Sequence, residues 1–149
     1  STKKYIDDVY NYGCYVMITD WNQLEDGLLG ITVLGKYKIH VKDCKLNENN
    51  LLCGNIETIP DEKEYMIPQK YIILSKFYKK IYPGIKNFIS YTNERYSDAS
   101  WIGFRLTECL PLDSHTKNKL IATNDGIERL EKLYEIVNKL FKAEIKDLD

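Results

Sequence analysis

"SDASWIGFRLTECLPLDSHTKNKLIATNDGIERL", residues 97–130, carries three helix boundaries and decides the second half of the fold. Ser97 or Asp98 can cap a first helix, because a short side-chain oxygen accepts a hydrogen bond from the free amides of a first turn. Ile102, Leu106, Cys109 and Leu110 recur at the spacing of one buried helical face, and Pro111 closes the run. Asp113 or Ser114 can cap a short second helix that turns Leu120 and Ile121 inward. Asp125, with Glu128 three residues on, has the form of a capping box for a third.

The third helix has the strongest pattern in the chain. Ile127, Leu130, Leu133, Tyr134, Val137, Leu140 and Phe141 make one apolar stripe, while Glu128 with Lys132 and Glu135 with Lys139 pair on the other side. Each such pair contributes only about 0.2–0.5 kcal/mol, so burial of the stripe must hold the helix.

Towards the N-terminus the period changes from helical to alternating. Cys14, Val16 and Ile18 alternate with Tyr15, Met17 and Thr19 up to the turn-rich "DWNQLEDG" of 20–27. "LLGITVLG" (28–35), "KYKIHVKD" (36–43) and "LLCGNIETI" (51–59) read as further strands, set off by "NENN" (47–50) and "IPDEKE" (59–64). In the second of these, Tyr37, Ile39 and Val41 share one face and Lys36, Lys38, His40 and Lys42 the other, so Ile39 is expected inside and His40 outside. Short strands joined by turns indicate an antiparallel sheet or small barrel. Residues 60–68, from Pro60 to Pro68, form the junction. Beyond it Tyr71, Leu74, Tyr78 and Ile81 lie at helical spacing, with "YPG" at 82–84 expected to stop the helix.

At 149 residues and 44% hydrophobic, the chain can bury a core as one domain or two small lobes. A net charge of -1 gives no general attraction to nucleic acid or anionic membranes, although Lys76, Lys79 and Lys80 form a local basic patch. No run of about 18 apolar residues is present and the N-terminus has no signal pattern, so a cytoplasmic protein that does not engage membranes is expected. The sequence does not open on Met, which suggests a fragment or trimmed chain. Cys14, Cys44, Cys53 and Cys109 are widely spaced, with no CxxC pair and no histidine cluster, so buried free thiols and no metal site are expected.

Three stretches imitate chemistry. "GITVLGKY" (30–37) satisfies G-x-x-x-x-G-K but has Tyr37 where a phosphate loop needs a hydroxyl for magnesium, and Ile-Thr-Val-Leu favours a strand over a cradle of inward amides. "DSH" (113–115) sets Asp, Ser and His side by side, yet neighbours at a helix start point apart and cannot form a relay from nucleophile to base to orienting acid. His40 lies among lysines, with no carboxylate next to it in sequence to orient the ring. No catalytic or cofactor-binding residue is assigned.

The order of the pieces does point to a family. "DWNQLEDGLLGITVLGKYKIHV", the further strands, the helical spacer, "ASWIGFRLTECLPL" and "NDGIERLEKL" together resemble the LON substrate-binding domain, the N-terminal domain of Lon proteases that also occurs as small stand-alone proteins. The likeness runs from about Gly13 to about Leu140. It rests on Gln23, Leu24, Asp26, Gly27, Leu29, Gly30 and Ile31 for a Q-L-x-D-G-x-L-G-I stretch. Leu110, Pro111 and Leu112 match an L-P-L step, and Asp125, Glu128, Arg129 and Leu130 a D-x-x-E-R-L helix start. Gly126 stands where the family often has proline, and His40 where it often has arginine. The Phe-Pro stretch and the F-E-x-R-Y type element that usually come first have no counterpart.

The resemblance implies an α+β chain: a PUA-like antiparallel β pseudobarrel over residues 1–62, incomplete at its N-terminus, and a helical bundle over 63–149, together one domain. It implies a non-catalytic module that binds unfolded or partly folded protein segments, with the ATPase and Ser-Lys protease modules of Lon in later domains. Trp21, Leu28 and Leu29 are the expected polypeptide-binding residues, with self-association a further partner mode and no cofactor. The alternative is an RNA-binding PUA-like module using the lysines of 36–42, a weaker reading because fold analogy alone supports it.

Overall fold

A computed structural model describes residues 9–87, 89, 91 and 93–148, and the chain divides between Asp61 and Glu62 into two compact units. In the first, β1 (Tyr12–Gln23), β2 (Leu29–Leu46) and β3 (Leu52–Thr58) form an antiparallel sheet in the order β1-β2-β3. "DWNQLEDG" proves less turn-rich than its composition suggests. β1 continues to Gln23, with Trp21 opposite Ile31 and Gln23 opposite Leu29, and only Leu24 to Leu28 turns. That turn is held by the Leu24 amide on the Leu28 carbonyl (2.8 Å) and by Asp26 Oδ1, which accepts from the Leu28 amide (3.0 Å). Gly27 sits at φ +82°, a left-handed conformation that glycine adopts without a Cβ penalty.

The two strands expected at 28–35 and 36–43 are one. β2 spans both, because breaks in register absorb the extra residues: Tyr15 faces Tyr37 and Val16 faces Gly35, which leaves Lys36 unmatched, and Lys42 is skipped in the same way against β3. None of the described residues of this unit is buried. Ile39 and His40 are both half-buried, so the expected inside and outside are not realised. Closure into a pseudobarrel is likewise not seen among the described residues, where β1 and β3 are open edges.

The second unit holds the core. After a 3-10 turn (Gln69–Tyr71) come α1 (Ile72–Ile85), α2 (Ala99–Cys109), α3 (Ser114–Ala122), α4 (Gly126–Leu140) and α5 (Lys142–Lys146). α2 and α4 form the principal helix pair. Leu74, Ile102, Leu106, Leu130, Leu133 and Val137 are fully enclosed, each contributing about 1.5–3 kcal/mol by leaving water. Three aspartates cap as their positions require: Asp98 accepts from the Ser100 amide (3.0 Å), Asp113 from Thr116 (2.9 Å), and Asp125 from Ile127 and Glu128 (2.7 and 3.1 Å). Glu128 pairs with Lys132 (2.7 Å).

Two helix expectations need correction. α1 does not stop at "YPG" but runs through Pro83 to Ile85. Tyr82 stays buried and stacks on Tyr78 and Tyr91 (5.5 and 5.8 Å), and this aromatic packing offsets the amide hydrogen bond that Pro83 cannot make. On α4 one member of the expected stripe faces water: Leu140 is exposed, whereas the next residue, Phe141, packs on Phe77 at 5.3 Å and Ile145 of α5 is buried.

Arg129, by contrast, is enclosed. Its Nε donates to the Leu120 carbonyl (2.9 Å), its guanidinium lies over the Phe104 ring (3.8 Å), and its terminal nitrogens reach Glu62 and the Thr123 carbonyl. Gly103 makes room for it: a Cβ there would lie 3.1 Å from Arg129 Cδ.

Candidate functional site

Among the described residues, exposed apolar side chains concentrate on the sheet. At the tip of the β1–β2 hairpin Trp21 is 68% exposed, Leu28 63% and Leu29 66%. Trp21 opposite Ile31 and Gln23 opposite Leu29 are alternate pairs without a register break between them, so Trp21, Ile31 and Leu29 share one face, and Leu28 closes the turn beside them. Tyr15 and Tyr37 stack across the strands at 4.8 Å with rings almost parallel (3°). Val16, Met17, Ile18, Val33 and Leu34 are exposed along the same hairpin. Exposed apolar side chains on this scale mark an interaction site, since water is a poor covering for them.

The positions that imitate chemistry are accounted for by structure. Gly30 to Tyr37 lies within β2, paired to β1, and presents no loop of converging amides. Asp113 takes both the amide and the hydroxyl of Thr116 (2.9 and 2.6 Å), which hold its carboxyl below the usual range, so it serves as the cap of α3. A carboxylate does stand beside His40, contrary to the sequence reading. Glu57 lies opposite it on β3, with Oε2 4.0 Å from Nδ1, and the ring stacks on Tyr12 at 4.9 Å. Lys42 pairs with the same Glu57 (3.2 Å), so the lysine-bearing strand is partly neutralised by its neighbour.

The thiols are not buried as expected: Cys14 and Cys53 are exposed on the sheet, Cys44 is half-buried there, and Cys109 is half-buried at the end of α2. No group of three or more His, Cys, Asp or Glu among the described residues could hold a metal ion.

The helical unit contains an aromatic cluster of Tyr78, Tyr82, Tyr91, Tyr96 and Trp101, with ring separations of 5.4 to 6.2 Å. Arg105 lies 4.4 Å over Tyr91, whose hydroxyl donates to Glu108 (2.8 Å). Burial pushes the Tyr78 phenol up to about 12, and burial followed by the Glu108 hydrogen bond raises Tyr91. These phenols stay protonated at neutral pH, so neither serves as a base there, and Tyr91 acts as the donor to Glu108. A recess of about 480 Å³ beside them is lined by Glu64, Lys79, Glu94, Arg95, Tyr96 and Asp98 among others. Its charges are engaged with one another: Arg95 with Glu64 and Asp98, Lys79 over the Tyr96 ring (4.8 Å), and Glu94 with the Tyr96 hydroxyl (2.7 Å). It offers a ligand little unspent polarity.

Sequence reading missed the pair of Arg129 with Glu62. A signal for Arg129 existed, since it stands four residues before Leu133 on the buried side of α4. Glu62 carried none: in "PDEKE" it looks like any solvated turn residue.

With the geometry described, comparison with known proteins adds relatives. The family model for the ATP-dependent protease La (LON) substrate-binding domain matches residues 1–139. A Lon protease of Endomicrobium trichonymphae is 26% identical over 137 residues, which cover 88% of this chain but 17% of that protein. A Lon N-terminal domain protein from Xanthomonas campestris has a similar structure, with a TM-score of 0.68 at 23% identity over 84% of this chain and 67% of that one. The N-terminal domain of Mycobacterium avium complex Lon protease follows at 0.58 and 19%, over 87% and 70% of the respective chains. Among the described residues no helix is long and apolar enough to cross a membrane.

Proposed function

Because the chain belongs to the ATP-dependent protease La (LON) substrate-binding domain family, we propose that it is a non-catalytic module that binds unfolded or partly folded polypeptide segments, with the hairpin tip at Trp21, Leu28 and Leu29 as the contact surface. The observation that carries this reading is the exposure of those three side chains at the end of an apolar sheet. A large aromatic ring beside two leucines gives shallow contact area without demanding one client sequence, as a surface for many unfolded chains requires. Residues 1–62 and 63–149 act in this reading as the β-rich and helical parts of one domain. RNA binding is not favoured: the matched family is a substrate-binding domain of a protease, and Lys42 is paired with Glu57.

The test uses a reduced, carboxymethylated globular protein as a permanently unfolded probe, labelled for fluorescence anisotropy. The triple change Trp21→Ser, Leu28→Ser, Leu29→Ser should weaken its binding by about a hundredfold, the loss of roughly 3 kcal/mol of apolar contact. Thermal unfolding of the helical unit should not move. Undiminished binding by the triple variant would remove the tip as the contact surface.

A further inference from the structure

Lys76, Lys79 and Lys80, a basic patch in the sequence, have separate uses in the fold. Lys79 lies over the Tyr96 ring, whereas Lys76 and Lys80 reach α5 and the residues that follow it. Lys76 Nζ donates to the Leu148 carbonyl at 2.9 Å. Lys80 Nζ stands 3.5 Å from the Glu144 carbonyl and 3.9 Å from the Asp147 carboxylate. We infer that α5 is a latch: a short helix that is ordered only while docked on the bundle, fastened by Lys76 and Lys80 of α1, and released as a unit that withdraws Ile145 and Leu148 from the core.

α5 cannot hold its own shape. Its 5 residues close too few hydrogen bonds to offset the cost of starting a helix, and Phe141 stands at its start with no side-chain cap. Order is supplied from outside. Phe141, Ile145 and Leu148 recur at i, i+4 and i+7, which places them on one helical face, and that face packs on the core of the helical unit. Ile145 is buried, and Phe141 meets Phe77 of α1. The carbonyls at a helix end lack internal partners and carry its negative pole, so an ammonium group there supplies both a donor and a counter-charge.

The two kinds of contact differ in weight. Burial of Ile145 is the larger, because exposed lysine contacts contribute little each. Lys76 and Lys80 therefore set how often the latch opens, and Ile145 sets whether it can close. Both lysines lie on α1, outside the principal pair of α2 and α4, so loosening them frees α5 while the core stays folded. Opening leaves an apolar hollow beside two freed ammonium groups. The latch does not depend on what the hairpin tip binds.

Amide hydrogen exchange, followed by NMR on the whole chain, tests the latch. The Ile145 and Leu148 amides donate to the Phe141 and Ile145 carbonyls (3.1 and 2.9 Å) and report on α5; the Leu130 and Leu133 amides report on the core. In the parent the α5 amides should be protected, yet exchange on the order of a hundredfold faster than the core amides through local opening. Lys76→Ala with Lys80→Ala should speed the α5 amides by a further factor of about five to ten and leave the core amides unchanged. Lys76→Arg with Lys80→Arg keeps donors and charge and should retain the parent protection. Ile145→Ala should speed exchange in α5 by about thirtyfold or more. α5 amides that exchange in step with the core amides would overturn the latch, since α5 would then open only when the whole unit unfolds. Unprotected α5 amides in the parent would overturn it too, because nothing would be fastened. So would alanine variants that leave α5 exchange unmoved or accelerate the core equally. The comparison within the parent needs no variant, so a misfolded substitution leaves the test intact.

Discussion

The guanidinium of Arg129 and the carboxylate of Glu62 form a two-point ion pair in which the arginine side chain is 0% exposed and the glutamate 7%. Glu62 also accepts from the Ser100 hydroxyl (2.7 Å), so the first residue of the helical unit is anchored to both α2 and α4. Hydrogen bonds to the Leu120 and Thr123 carbonyls engage two further guanidinium donors. A buried pair is tolerated only when its polar atoms are met in this way.

Removing one partner should therefore be costly. Glu62→Ala leaves an enclosed cation without its anion and is expected to lower stability by about 3–5 kcal/mol in urea unfolding. The double change Glu62→Leu with Arg129→Met should recover much of that loss, because it leaves no unpaired charge. A double variant no more stable than Glu62→Ala would show that the hydrogen bonds to Ser100, Leu120 and Thr123 matter more than the pair.

Along α4 the cost of substitution should follow burial. Leu133→Ala truncates a fully enclosed leucine and should cost about 2–5 kcal/mol. Asp125→Ala removes a cap that serves two amides, about 0.5–2 kcal/mol. Glu131→Ala, exposed and 3.9 Å from Lys70, should stay within about 0.5 kcal/mol of the parent. Chemical denaturation of the three variants checks the order.

Gly126 is required by proximity rather than by turn geometry. A Cβ there would lie 2.9 Å from the Ser100 nitrogen and 3.0 Å from its Cα, at the contact between the starts of α4 and α2. The proline often found here in the resembled family would preset the helix dihedral, yet Gly126→Pro should destabilise this chain by about 1–3 kcal/mol through overpacking. A raised melting temperature in that variant would mean that the two helix ends can separate at little cost.

High pH should unfold the helical unit through its buried weak acids. Burial raises Tyr78 from 10.0 to about 12 and Cys109 from 9.0 to about 11. Both groups hold their protons more tightly folded than unfolded, so stability is complete below pH 9.0 and falls as pH rises towards about 11 to 12. Urea midpoints measured from pH 8 to 11 should decline, with tyrosinate absorbance appearing as the chain unfolds. A flat midpoint across that range would contradict the buried-acid account. Over the same titration Cys14 and Cys53 should react with a thiol reagent before Cys109, since they are exposed and the thiolate is the attacking form.

How much was legible depended on whether the relevant physics is local. Caps at Asp98, Asp113 and Asp125, the apolar stripe through Leu130, Leu133 and Val137, and the alternation along β1 follow from neighbours a few residues apart. Hydrogen-bonding geometry within one turn, and the periods of helix and strand, suffice to read them. Local punctuation misled where packing overrode it: Pro83 did not end α1 because buried Tyr82 carries the turn, and "DWNQ" extended a strand because Ile31 and Leu29 lie opposite to pair with it.

The sequence by itself determined the starts of α2, α3 and α4, the helical and alternating periods and the family resemblance, since each depends on residue identity at short spacing. Only the tertiary structure decided that Glu62 meets Arg129 across 67 residues, that Gly126 abuts Ser100, and that Trp21, Leu28 and Leu29 stand in solvent. An apolar pattern states that a side chain gains by leaving water, but not whether anything covers it. Burial is a property of what packs against a residue, and for the sheet of this chain none of its described residues is buried.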